Sequence, residues 1–196
     1  MKQQATKSKY AVTTFGEFLL RLHCNDEKRF LQAPSYQTIY AGSEANVAVL
    51  LSRLGCATNY ITSIPDNDIA VAGVQQLKSH GVGTDDIIYA GDKLGIFFTE
   101  PGNGIRPSRV IYDRAGSSFA QLLPGVIDWN RVLEGGTCFH WSGIAAAVSQ
   151  SAADTCAEAL VVAKEKGLMI SADFNHRSTL WKYGKQPAEI MPPLLK

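Results

Sequence analysis

Three short stretches carry side chains suited to holding a hydroxylated, anionic small molecule. The first is Ala41-Gly42-Ser43-Glu44-Ala45-Asn46, which opens an amphipathic segment. A glycine admits close backbone approach, and a helix start offers free N–H groups. Asn46 can both donate and accept, which suits sugar hydroxyls. The same residues also read as an ordinary helix start capped by Ser43. The second stretch is Val110-Ile111-Tyr112-Asp113-Arg114. Strand alternation puts Tyr112 and Arg114 on one face, where a phenol beside a guanidinium suits an anionic polyol. A solvated edge strand accounts for that pattern equally well. The third is Ser171-Ala172-Asp173-Phe174-Asn175-His176-Arg177. Asp173, Asn175 and Arg177 alternate directly after an apolar run, which places them at the carboxyl end of a parallel strand. Open α/β sheets bind ligands at that edge. Arg177 can pair there with a carboxylate or a phosphate. Ser142-Gly143-Ile144 also follows a strand and falls on the same edge, or forms a plain strand-to-helix turn.

Other chemistries find no support. The chain has no G-x-x-x-x-G-K-[ST] loop, no G-x-G-x-x-G after a strand, no G-x-S-x-G and no H-E-x-x-H. Cys138 and His140 lie two apart in a probable strand and share a face, but no further metal ligands stand near them. Cys24, Cys56, Cys138 and Cys156 form no C-x-x-C pair, so free thiols in a reducing cytosol are expected.

The elements that would position these residues alternate along the chain. Ala11–Phe15 reads as a core strand, and residues 18–41 read as a hairpin outside the main core. Ser43–Leu54 is the clearest helix, with Val47, Leu50, Leu51 and Leu54 at helical spacing before Gly55. Ala57–Ile64 is expected as a strand, Pro65-Asp66-Asn67-Asp68 as a turn and cap, and Ile69–His80 as a helix ended by Gly81. Leu94–Glu100 and Arg109–Tyr112 flank Pro101-Gly102-Asn103-Gly104, a hairpin signal. Then come a short helix at Asp128–Leu133, a strand at Thr137–Ser142, a long helix at Ser149–Lys166 and a buried strand at Leu168–Phe174. Such alternation predicts a parallel sheet in an α/β layer, with two hairpins able to form a small β-sheet lid. Pro187–Lys196 reads as the start of a helix at which the chain stops, so a truncated or partial chain is expected.

The 196 residues suit one domain, 45% of them hydrophobic and 19% charged. A formal net charge of +1 with interspersed signs argues against a nucleic-acid or membrane-surface protein. No apolar run reaches the roughly 18 residues of a membrane span. The first ten residues are polar and carry no signal-peptide pattern, so a cytoplasmic protein is expected.

Taken together, the motifs fall in the order of the ribokinase-like (PfkB) carbohydrate kinases. Ala41–Ala48, continuing to Arg53-Leu54-Gly55, resembles that family's N-terminal signature, with alanine where the signature begins Gly-Gly. Pro65-Asp66-Asn67-Asp68 with Gly73 resembles its G-x-D-x-x-G segment, with Pro65 in place of the first glycine. Tyr112-Asp113-Arg114-Ala115-Gly116-Ser117, His140-Trp141-Ser142-Gly143-Ile144 and Asp173–Arg177, with Thr179-Leu180-Trp181 after it, are similar to the 2-keto-3-deoxygluconate kinase pattern.

The resemblance implies a ribokinase-like core of mostly parallel sheet flanked by helices. It implies one domain over 1–196, with lid hairpins at about 18–41 and 93–113. The lid would often serve as a homodimer clasp. Substrate would lie under it, near Gly42, Asn46, Phe97, Tyr112, Arg114, Ile144 and Arg177, with Asn175 near the phosphates. The implied activity is transfer of the ATP γ-phosphate to the terminal hydroxyl of 2-keto-3-deoxygluconate, with Mg2+. A neutral sugar such as fructose or ribose is the rival substrate, and a non-catalytic sugar-acid-binding fragment the rival role. The family's Gly-Ala-Gly-Asp run, which supplies an anion hole and the catalytic base, does not occur in these 196 residues. Most of the nucleotide site is expected to lie outside this chain, and the catalytic base is left unassigned.

Overall fold

The computed structural model describes residues 9–196, so most of the polar N-terminal stretch lies outside the described residues. Four parallel strands make the main sheet, in the order Met169–Asp173 (β10), Cys138–Ser142 (β9), Val12–Phe15 (β1) and Thr58–Ile61 (β4). β4 and β9 are buried along their whole length, the pattern of strands covered on both faces.

Period-2 alternation divides the strand side chains between two cores. Tyr60 packs with Ala45, Ala48, Val74 and Leu77 from the helices Ser43–Arg53 (α1) and Asp68–Ser79 (α2). Its neighbour Ile61 joins Phe15, Phe139 and Trp141 against the helix Gln150–Glu165 (α5). On α5 the sheet-facing residues are small (Ala152, Cys156, Ala159 and Ala163), which brings the helix axis close to the strands. Asn67 caps α2, its side chain accepting from the Ala70 N–H at 3.0 Å. Trp129–Val132 (α3) and Pro187–Leu194 (α6) complete that second layer. Among the described residues, no helix is long and apolar enough to cross a membrane.

A second sheet stands apart from this core. Leu19–Cys24 (β2) pairs antiparallel with Tyr36–Ala41 (β3), and Gly95–Glu100 (β7) pairs antiparallel with Arg109–Asp113 (β8). A parallel contact between β2 and β7 joins these hairpins into one four-stranded sheet. This is the small lid of a ribokinase-like α/β fold.

Three elements differ from the sequence expectation. Met169–Asp173 (β10), expected as part of a buried strand, is the edge of the main sheet and stays largely exposed, because β9 covers only one side of it. Ala57–Ile64 is not one strand. After Ile61 the backbone partners change, with the Ile88 N–H bonding to the Thr62 carbonyl and the Ala90 N–H to the Ile64 carbonyl. Ser63–Ile64 (β5) therefore leaves the main sheet and pairs with Ile88–Tyr89 (β6). The long helix is likewise preceded by a short one, Gly143–Val148 (α4). Ser149 separates them in an extended conformation, and its hydroxyl caps α5 through the Ala152 N–H at 3.0 Å.

Lid and core meet tightly at Gly73. A Cβ there would stand 2.5 Å from the Phe18 ring and 2.6 Å from the Tyr40 ring. Gly73→Ala should cost about 1–3 kcal/mol of unfolding free energy through this overpacking. Urea denaturation of the variant measures it, and an unchanged midpoint would show that the rings yield freely.

Candidate functional site

A cavity of about 270 Å³ lies where the lid faces the carboxyl ends of the parallel strands. Gly42, Asn46, Phe97, Tyr112, Arg114, Ile144, Asn175 and Arg177 all line it, so the separate motifs converge on one space. Glu17, Leu19, Ala41 and Ser43, not singled out as ligand contacts from the sequence, complete the wall.

The N-terminus of α1 forms one side. Gly42 is its N-cap residue, and no side chain caps the helix there. A Cβ at Gly42 would fall 2.5 Å from the Glu17 carbonyl oxygen. The glycine is thus required by the protein's own close packing, before any ligand is considered. Ser43 does not serve as the cap. Its hydroxyl accepts from the Asn175 side-chain amide at 3.0 Å, joining the helix start to the loop after β10. Asn175 itself has a left-handed φ of 35° and donates its backbone N–H to Asp173 Oδ1 at 2.9 Å. Asparagine tolerates that conformation better than most residues. Opposite, on the lid, Phe97 and Tyr112 are paired across β7 and β8 with ring centroids 5.9 Å apart.

Two buried carboxylates stand at the site, Glu17 in the cavity wall and Glu44 behind it in α1, and neither was given a role from sequence. Glu17 lies between β1 and β2, where the chain passes from core to lid. Its Oε2 accepts from Arg114 Nε at 2.7 Å and from Arg114 Nη2, and its Oε1 accepts from the Ser117 hydroxyl at 2.5 Å. Glu17 and Arg114 are 2% and 8% exposed, so this is a buried ion pair. Burial pushes the Glu17 carboxyl up, while Arg114 and Ser117 pull it down. With donors on both oxygens, the geometry is that of an ionised carboxylate. Of the two arginines expected to meet a ligand's charge, only Arg177 has no acidic partner among the described residues.

Glu44, in the first turn of α1, is fully buried. The Ser142 hydroxyl donates to its Oε1, while Oε2 lies against Gly16 and has no hydrogen-bond partner among the described residues. Burial lifts this carboxyl from 4.5 to about 7, against the opposing pull of Ser142. A sequence signal for Glu44 did exist. It stands four residues before Ala48, and so on the apolar face of the helix. Cys138 and His140 are both buried in β9, and His140 Nδ1 lies 3.0 Å from the Ser171 hydroxyl. Among the described residues, no group of three or more His, Cys, Asp or Glu side chains could hold a metal ion.

Residues 10–193 match the family described as pfkB family carbohydrate kinase. The chain belongs to that family. It is 34% identical over 172 residues to a 2-dehydro-3-deoxygalactonokinase of Haloferax volcanii, covering 87% of this chain and 53% of the relative. It is 28% identical over 179 residues to a 5-dehydro-2-deoxygluconokinase of Clostridium perfringens, covering 90% of this chain and 52% of the relative. The crystal structure of a 2-dehydro-3-deoxygluconokinase of Thermotoga maritima superposes with a TM-score of 0.89 at 38% identity, covering 94% of this chain and 56% of the other. The chain thus spans about half the length of the curated pfkB relatives it matches.

The Glu44 carboxyl has a consequence for stability. The folded protein retains a proton there up to about pH 7, whereas the unfolded chain loses it near 4.5. Stability is therefore fullest below the unfolded value, falls as pH rises between those limits, and levels off above. The drop attributable to this group is on the order of 3 kcal/mol. Glu44→Gln should make the curve shallower in that window, measured by urea unfolding from pH 4.5 to 8. An unaltered slope would exclude Glu44 as the titrating group.

Proposed function

We propose that the protein is a sugar-acid kinase whose substrate-binding part is this chain, with 2-keto-3-deoxygluconate as the acceptor. The observation that carries this reading is that one cavity under the lid collects the residues of all the motifs. There the uncompensated Arg177 guanidinium shares one space with the hydroxyl-binding groups of Asn46, Tyr112 and Asn175. The charge suits a carboxylate, and the amides and phenol suit a polyol chain. The relatives described above carry names of kinases for deoxy keto sugar acids, which favours an acid over fructose or ribose.

In the intact protein, the terminal hydroxyl of the bound acid would attack the γ-phosphate of ATP in line, with Mg2+ neutralising phosphate charge. The products would be ADP and 2-keto-3-deoxy-6-phosphogluconate. This chain's residues do the binding part. Arg177, with Arg114 beside it, holds the carboxylate end. Gly42, Asn46, Phe97, Tyr112 and Ile144 shape the sugar site, and closure of the lid excludes water. Asn175, tied to the α1 N-terminus, lies nearest the phosphates. No residue of this chain is assigned as the base or as a Mg2+ ligand. Val110, Ile111 and Tyr112, each more than 40% exposed on β8, support lid-to-lid pairing of two copies. The free cysteines fit a reducing cytosol.

The test is ATP-dependent phosphorylation by the full-length protein of 2-keto-3-deoxygluconate, its galactonate epimer, fructose and ribose. Turnover of an acid in strong preference to the neutral sugars is expected, and turnover of a neutral sugar alone would overturn the reading. Arg177→Gln should raise KM for the acid roughly ten- to hundredfold, the loss of one charge-assisted contact. The same variant should leave residual fructose turnover nearly unchanged. An equal loss on both substrates would remove Arg177 from carboxylate recognition.

A further inference from the structure

We propose that Glu17 is a positioning residue that sets the charge selectivity of the cavity. By cancelling Arg114, it matches the site to an acid bearing one negative charge. This rests on the sugar-acid reading above, and it adds why a cavity for anions has a carboxylate in its wall.

The geometry is specific. Both Arg114 nitrogens Nε and Nη2 are taken by one oxygen of Glu17, and the other oxygen is taken by Ser117. The third guanidinium nitrogen, Nη1, carries no hydrogen bond among the described residues. Arg114 is therefore held in one orientation, with one donor nitrogen left for a ligand. The pair is nearly inaccessible to solvent, so water screens it little. Among the cavity's lining residues the Glu17 and Arg114 charges cancel, and Arg177 alone leaves one net positive charge.

The arrangement also has a topological side. Glu17 precedes β2, the first lid strand, and Arg114 directly follows β8, the last one. Ser117 lies three residues further on, in the return to the core. The three side chains bind the chain's entry into the lid to its exit. A lone carboxylate buried for packing would need none of this, whereas a charge-setting group must be fixed beside the charge it cancels. A ligand with a second negative charge would then have to desolvate it in a cavity whose lining residues offer no second cation free of a carboxylate partner.

The experiment uses the full-length kinase and compares two competitive inhibitors of acid phosphorylation. One is gluconate, with one carboxylate, and the other is glucarate, with a second carboxylate at the far end. The readout is the ratio of their inhibition constants, which cancels any loss of fit common to both. Glu17→Gln keeps shape and an acceptor oxygen but removes the charge. It should lower the glucarate-to-gluconate ratio by roughly fivefold, the effect of one added positive charge about 10 Å from the second carboxylate. A scaffold role would weaken both inhibitors equally and leave the ratio alone, and that result overturns the proposal. If Glu17→Gln is recovered unfolded, the double variant E17Q/R114M carries the test. It removes both buried charges together and keeps the net charge of the cavity, so its ratio should stay within about twofold of the parent, whereas E17Q/R114K, which keeps a cation without its partner, should fall roughly fivefold below it. Equal ratios in the two double variants overturn the proposal. Failure of the parent to bind gluconate or to phosphorylate any sugar acid would overturn the underlying sugar-acid reading as well. The two failures are thereby told apart.

Discussion

Glu17 and Arg114 meet across 97 residues of chain in a site from which solvent is excluded. Two opposite charges can be buried only if they find each other and if their remaining hydrogen-bonding capacity is filled. That condition fixes where the lid must stand. Glu17 leaves the core strand β1 through Gly16, Arg114 leaves the lid strand β8, and Ser117 closes the remaining oxygen. Removing one partner strands a charge in the interior, at a cost of about 3–5 kcal/mol. The ligand cavity is the space left between the lid so placed and the carboxyl ends of the parallel strands.

Around this pair the site is made of loose ends that the fold brings together. The α1 N-terminus lacks a side-chain cap, and Gly42 keeps the Glu17 carbonyl close to it. Asn175, in a left-handed turn after β10, reaches Ser43 at that same helix start. Arg177 follows two residues later, with no acidic partner among the described residues. Each of these segments is a strand end or a helix start, where backbone groups are free and loops can vary without disturbing the sheet. Burial of Glu44 beneath the cavity lifts its carboxyl from 4.5 to about 7, which favours the neutral form where α1 begins against Gly16 and weakens repulsion with Glu17.

Much of this was legible in the sequence because it is local. The helix over Ser43–Leu54, the cap within Pro65–Asp68 and the Pro101–Gly104 turn each report on a few neighbouring residues, although the helix buries Glu44, Ala45 and Ala48 and leaves Leu50 and Leu54 exposed. The cavity residues were legible as motifs, since polar groups directly after apolar runs mark strand ends. What could not be read depends on distant partners. The Glu17–Arg114 contact has no local signature, since Glu17 falls between the expected strand at Ala11–Phe15 and the hairpin at 18–41, and its partner lies 97 residues away. Nothing in either hairpin announced that β2 would lie parallel to β7, because turn residues specify only the strands they join. Thr62 likewise gave no sign that the chain would leave the main sheet, because the break follows from β6 supplying new backbone partners. Ser43 was a reasonable cap by type, but its hydroxyl was claimed by Asn175 from 132 residues away.

The account turns on where a sugar acid sits and which way it points. A crystal structure of the full-length protein with 2-keto-3-deoxygluconate would show this most directly. The carboxylate should lie against Arg177 and the free Nη1 of Arg114, with Asn46 and Tyr112 on the hydroxyls and the Glu17–Arg114 pair intact. A carboxylate directed away from both arginines, or a ligand bound outside the cavity beneath the lid, would contradict it.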